Sequence, residues 1–156
     1  SRLHDGPVLV CDRNDQRANL VSSVTGATAV PLEKAAIEAA INGQPIRHAI
    51  DATGNISVLM ATLDVLSGGG SLALVSISHG RIELDPNILV EREISLIGCH
   101  AYQDELHEIA RLLPDLEAQL LQLVDREIPL DEVPDAYARL IAGEANGLKT
   151  IIRPAM

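Results

Sequence analysis

Between Pro7 and Ile77, short apolar runs rich in β-branched residues alternate with helical stretches: strand, helix, strand, helix, strand, helix, strand. Nothing else in the chain restricts its fold as strongly. Such alternation calls for parallel strands joined by right-handed crossovers, with the connecting helices laid on the faces of the sheet. The first run, residues 7–12, ends in Asp12, and a helix follows over 14–25, with Leu20, Val21 and Val24 turned inward and Gly26 as its stop. Residues 27–30 read as a short strand. Pro31 sits at the tolerated first turn of a helix over 32–41, which Asn42-Gly43 ends. A third strand covers 46–52, an apolar helix covers 56–66, and Gly68-Gly69-Gly70 halts it before the strongly β-like run 71–77. That glycine run precedes a strand instead of opening a helix, so it is a helix stop and not a phosphate loop.

Beyond residue 77 the pattern loosens. Residues 81–84 form a short extended piece, 86–91 a helix and 94–99 another strand. A helix over 103–113 is broken by Pro114, with a second one over 116–123. Residues 124–128 are extended, Asp131 caps a helix with Val133, Ala136, Tyr137, Leu140 and Ile141 on one face, and 148–152 form a last strand. Residues 1–6 are a polar lead-in. The expected architecture is α/β: a doubly wound, mostly parallel, Rossmann-like sheet with helices on both faces, in one domain over residues 1–156.

Composition narrows the function. Tyr102 and Tyr137 are the only aromatics, so the core is aliphatic, which suits parallel strands covered on both sides. The net charge of −10, with no basic cluster to offset it, argues against a nucleic-acid partner. No apolar run is long enough to cross a bilayer, and no signal-like segment opens the chain. Cys11 and Cys99 lie far apart with no second ligand pair, the pattern of two reduced thiols. These features together predict a cytoplasmic protein with neither nucleic-acid nor membrane partners.

An acid at the carboxyl end of a strand is where nucleotide-binding α/β folds hold the adenosine ribose. Several stretches then occur in a telling order. Asp12-Arg13-Asn14-Asp15-Gln16-Arg17 is followed by Gly26-Ala27-Thr28-Ala29-Val30, Asp51-Ala52-Thr53-Gly54-Asn55, Gly69-Gly70 before a β run, and Ile94-Ser95-Leu96-Ile97-Gly98. Ile128-Pro129-Leu130-Asp131-Glu132-Val133, Ala136-Tyr137 and Gly147-Leu148-Lys149-Thr150-Ile151-Ile152 close the set. The ordered set resembles the cofactor domain of medium-chain, zinc-type alcohol and polyol dehydrogenases. Relative to that family, the first Rossmann strand, its G-x-G-x-x-G turn and the zinc-bearing catalytic domain have no counterpart here. Since the strand order is 3-2-1-4-5-6, the missing strand is central, and two unpaired edges are expected. The chain is therefore expected to be a fragment of a longer enzyme, or a domain completed by a neighbour.

The resemblance implies a cofactor-binding set: Asp12, Arg13, Arg17, Thr53, Gly54, Val75, Ser76, Ile77, Cys99, Ala101 and Lys149. Asp12 would take the ribose hydroxyls and repel a 2′-phosphate, favouring NAD over NADP, although Arg13 beside it could accommodate a phosphate. The alternative role for Asp12 is only to cap the helix that begins near Asn14. Arg17 would face the ribose or lie as a solvated helix charge. Thr53 and Gly54 occupy a strand end on the ligand-binding rim, and also make an ordinary turn capped by Asn55. In the resembled family the strand-end backbones matching Val75, Ser76, Ile77 and Cys99 hold the nicotinamide carboxamide. Lys149 matches a basic position that reaches toward the pyrophosphate, or is an ordinary surface lysine on an edge strand. Ser76 stands where the family often has glycine. His79 and His100 have no third ligand at fixed spacing and are read as loop residues near the cofactor mouth; His48 is read as a residue of a strand face, and His4 and His107 as surface positions. No metal site and no catalytic residue are assigned; zinc is expected only in the absent catalytic domain.

Two functional classes follow. One is the cofactor-binding part of an NAD(P)-dependent oxidoreductase that interconverts a small alcohol or polyol and a carbonyl by hydride transfer. The other is a truncated, non-catalytic module for dimerisation or assembly. A methyltransferase with an acid at the same strand tip is a third, weaker reading. The edge formed by 81–84 and 94–98 is expected to pair with its twofold copy in a homodimer.

Overall fold

The computed structural model describes residues 4–102, 105–145 and 147–154. It resolves into two compact units. Residues 1–29 and 107–156 make the first, and residues 30–106 the second.

In the first unit, β1 (Leu9–Val10) pairs in parallel with β2 (Thr28–Ala29), and α1 (Asp15–Thr25) connects them. Asn14 starts α1 because its side-chain oxygen accepts the Gln16 and Arg17 amides, at 3.0 and 3.2 Å. Gly26 ends the helix in the left-handed region, with its N–H on the Ser22 carbonyl. The remainder of this unit holds most of the long helix α5 (Glu105–Leu121), the parallel pair β6 (Val124–Ile128) and β7 (Lys149–Ile152), and the connecting helix α6 (Val133–Ile141). Ala18, Ala27, Ile128 and Ala136 are its buried apolar residues.

The second unit carries α2 (Lys34–Ile41), β3 (His48–Asp51), α3 (Ile56–Val65), β4 (Ser71–Leu74), α4 (Asn87–Glu91) and β5 (Ser95–Gly98). Its strands form a parallel ladder in the order β3-β4-β5, with His48, Ser71 and Ser95 in one row and Asp51, Leu74 and Gly98 in another. Alternation sends Leu72 to the face covered by α3, where it packs with Leu59, Leu63, Leu66 and Ile94. Leu63, Leu66 and Leu72 are fully buried, and burying each such side chain is worth roughly 1.5–3 kcal/mol. The opposite face is open: Ile50 is 73% exposed and Ile97 46%. Among the described residues no helix is long and apolar enough to cross a membrane.

The architecture is α/β with parallel strands, as expected, but the ladders are separate. Among the described residues β1 pairs only with β2 and β3 only with β4. These are the two open edges anticipated from a missing central strand. Other elements depart from expectation. The start of the helix predicted over 103–113 lies outside the described residues, and Pro114 does not break it: α5 runs unbroken from Glu105 to Leu121. Ala110 and Pro114 are both exposed, so the carbonyl that loses its partner faces water instead of a dry core. Residues 81–84 join no ladder, and Ile82 and Leu84 instead pack on the aliphatic core. Asp131 lies in a 3₁₀ turn, Leu130–Glu132, and α6 starts after Glu132 with no side-chain cap; Pro134, at its N-terminus, has no N–H to satisfy. Within α6 the predicted apolar face splits, with Ala136 buried and Tyr137 and Ile141 exposed. α2 begins at Lys34, so Pro31 stays outside it.

Candidate functional site at the strand ends

The carboxyl ends of β3, β4 and β5 lie side by side, and the chain turns sharply after each. At the end of β3, Asp51 is 5% exposed, the one buried polar or charged residue among the described residues. Its Oδ1 accepts the Thr53 amide at 2.8 Å and the Thr53 hydroxyl at 2.7 Å. The Thr53 hydroxyl oxygen in turn accepts the Asn55 amide at 3.1 Å, and Asn55 Oδ1 caps α3 through the amide and hydroxyl of Ser57. The turn is thereby held from its strand to its helix. Between these residues Gly54 has φ of +67° and meets the backbone that continues β4. A Cβ there would stand 2.6 Å from the Ile77 carbonyl oxygen and 3.4 Å from Ser76 Cβ.

β4 ends earlier than its sequence suggests, at Leu74, and Val75, Ser76 and Ile77 form the rim after it. The Val75 amide donates to the Asp51 carbonyl at 3.0 Å, and the Cys99 amide donates to the Leu74 carbonyl at 2.9 Å. Val75 and Ile77 present apolar side chains to solvent, Ile77 at 78% exposure. Ala101 is left-handed, with φ of 50°, an arrangement that costs a residue with a Cβ roughly 1–2 kcal/mol. Thr53, Gly54, Val75, Ser76 and Ile77 are thus brought together, with Cys99 on the neighbouring strand end. The Gly54 cradle is filled by Ile77 backbone, where the sequence reading put a cofactor against it.

The remaining candidates belong to the first unit. Asp12 is exposed, two residues past β1, and its Oδ1 accepts the Asn14 amide at 2.8 Å. Asp12 therefore shapes the turn before α1, and the helix cap itself is Asn14. Arg13 is exposed. The Arg17 guanidinium turns to the Ala145 carbonyl through Nη2 at 2.5 Å, and its buried Nε has no partner among the described residues. Lys149 opens β7 and lines a cavity of about 160 Å³ with Asp125, Ile128, Tyr137, Leu148 and Ile152. The half-buried Cys11 thiol is pushed up by desolvation.

Asp51 was the residue that sequence reasoning passed over. Its signal was an acid two positions before a threonine at a strand end, an Asx-type turn. In the second unit, exposed apolar side chains over strand-end backbone and a glycine-permitted turn are compatible with a dinucleotide's flat ring. In the first unit, an exposed carboxylate past β1 is compatible with a ribose. For zinc the donors do not fit: among the described residues no group of three or more His, Cys, Asp or Glu could hold a metal ion.

A family model for zinc-binding dehydrogenases matches residues 3–117. (R,R)-butanediol dehydrogenase of Neisseria gonorrhoeae (strain ATCC 700825 / FA 1090) is 25% identical over 114 residues, 72% of this chain and 32% of that protein. The 2R,3R-butanediol dehydrogenase structure of Bacillus subtilis aligns with a TM-score of 0.78 at 22% identity, over 95% of this chain and 44% of that one. An Escherichia coli CFT073 alcohol dehydrogenase complexed with the cofactor NADH aligns with a TM-score of 0.78 at 18% identity, over 92% of this chain and 43% of that one. The likeness to the solved structures establishes the fold, and this chain spans about a third of the curated relative and under half of either solved chain. With the family model matched through most of its length, the chain belongs to the zinc-binding dehydrogenase family.

Proposed function

We propose that residues 1–156 are an incomplete dinucleotide-binding domain, the cofactor-carrying part of an NAD-dependent enzyme that interconverts an alcohol or polyol and a carbonyl. The observation that carries this reading is the assembly of Thr53, Gly54, Val75, Ser76 and Ile77 at the carboxyl ends of parallel strands, in a chain of this family. The NADH bound in the E. coli relative supports the choice of cofactor. As the resemblance implies, Asp12, Arg13 and Arg17 would serve the adenosine ribose and Lys149 the pyrophosphate. Val75, Ile77, Cys99 and Ala101 would set the ring through backbone and apolar contact. When bound, the nicotinamide supplies the hydride chemistry; this chain's residues orient it and shield one face from water. The carboxylate of Asp12 repels a 2′-phosphate, so NADH is preferred to NADPH.

Titrating the chain with NADH and following its fluorescence tests the reading. The expected result is saturable enhancement, with Asp12→Ala weakening NADH about tenfold, in line with the loss of a charge-assisted hydrogen bond, and narrowing the preference over NADPH. No enhancement up to millimolar NADH would falsify it. That outcome favours the second reading, a non-catalytic assembly module, for which the open edge of β5 and the exposed Ile97 speak. In either reading we propose a homodimer formed at that edge.

A further inference from the structure

We infer that Asp51 and Thr53 are positioning residues: their hydrogen bonds fix the β3 turn so that Gly54 sets the height of the Val75–Ile77 rim on which a cofactor ring would rest. This inference rests on the cofactor reading above and deepens it. Asp51 is buried at the end of β3, after Ala49 and Ile50, and its backbone and side chain do different things. Its carbonyl takes the Val75 amide and so carries the ladder one residue past β4. Its carboxylate takes both donors of Thr53, and the Thr53 hydroxyl oxygen takes the Asn55 amide. The hydroxyl is thus the link that both donates and accepts, a role that neither alanine nor valine can fill. Held at both ends, the turn presents Gly54 with its open face against the Ile77 carbonyl, closer than any side chain would allow. Thr53 and Gly54 therefore act on a bound cofactor through the rim beside them. Their identity fixes where Val75 and Ile77 stand.

The test uses the full chain and three variants, Thr53→Val, Thr53→Ser and Gly54→Ala, with NADH as the probe. Thr53→Val keeps the shape and removes the hydroxyl, and is expected to raise the NADH Kd about tenfold, the size of an effect expected when a buried charged acceptor loses a partner. Thr53→Ser restores the hydroxyl and is expected to bind within about twofold of the parent. Gly54→Ala is expected to bind at least as poorly as Thr53→Val. Amide hydrogen exchange at Val75 is read in parallel without cofactor: Thr53→Val should speed it and Thr53→Ser should not. Parent-like binding and parent-like exchange in Thr53→Val, or equal losses in Thr53→Ser and Thr53→Val, would overturn the inference. If the parent itself binds no NADH, the cofactor reading falls by that result, and the exchange data alone decide whether Thr53 positions the rim. Should Thr53→Val not fold, Thr53→Ala and the serine variant carry the same comparison.

Discussion

Two thiols of one type sit in opposite settings, and that difference is measurable. Cys11 is half-buried at the end of β1 and its thiol is pushed above its ordinary range by desolvation, so less of it is thiolate at a given pH. Cys99 is exposed at the end of β5, on the proposed nicotinamide rim. A colorimetric disulfide reagent at mild alkaline pH should therefore modify Cys99 first and Cys11 much more slowly, with the order confirmed by peptide mapping. If the ring rests where the strand ends place it, saturating NADH should slow the Cys99 reaction and leave that of Cys11 unchanged. Equal protection of both thiols, or protection of neither, would argue against that placement. At the same scale, Glu127 and Arg153 form a two-pronged pair at 2.6 and 2.9 Å between β6 and the end of β7. The hydrogen bonds from Arg153 hold the Glu127 carboxyl below the usual glutamate range, although the side chain lies at the surface. A depressed carboxyl stabilises the fold above its unfolded value and loses that contribution as pH falls through the lower folded one. Glu127→Gln should therefore be slightly less stable than the parent at neutral pH and indistinguishable from it in strong acid, by thermal melting across pH. A gap that persists in acid would assign the effect to packing.

At the scale of elements, the start of α1 shows how caps are divided between neighbouring polar residues. Asp12 holds the Asn14 amide, and Asn14 holds the amides of Gln16 and Arg17, so only the second is the helix cap. Asn14→Ala should cost about 1 kcal/mol, within the usual range for losing a capping side chain, read as a shift in the urea midpoint. Asp12→Ala should cost less stability while costing more NADH affinity. This pair also marks what the sequence could and could not reveal. Local signals were sufficient wherever one residue decides the outcome: Gly26 ending α1 and Asn55 capping α3. They failed where the outcome depends on what surrounds the residue. Pro114 is tolerated because its turn of helix is wet, Ile82 and Leu84 leave the sheet because the aliphatic core recruits them, and β4 stops at Leu74 because its rim is shaped by the adjacent β3 turn. Among the candidate site residues, Asp12 and the strand-end set were legible as strand ends. Asp51 carried a local signal, the Asx-type spacing to Thr53, but its burial and the distant contact of Gly54 with Ile77 have no sequence signature.

At the scale of the whole molecule, the parallel ladder β3-β4-β5 leaves backbone groups without partners, and that predicts how the chain associates. The amides of Ser95 and Cys99 are spent on β4, at 3.0 and 2.9 Å, so alternation turns those of Leu96 and Gly98 to the open side. No proline or bulge guards that edge, and Ile97 stands 46% exposed beside it. An edge of this kind pairs readily with an identical edge across a twofold axis, where the same residues meet their own copies. Ile82 and Leu84 pack on the core, so of the two expected segments β5 is the one that would supply the pairing. Sedimentation velocity at micromolar concentration should show a dimer that dissociates on dilution. Ile97→Lys should shift it toward monomer, since two like charges would be brought together at the axis, while the thermal midpoint at low protein concentration stays near that of the parent. Salt then separates this mechanism from simple loss of apolar contact. Because screening shortens the reach of the two lysines, raising ionic strength should restore part of the lost association in the variant and leave the parent almost unchanged. A parent chain that remains monomeric at every concentration would remove β5 as the interface.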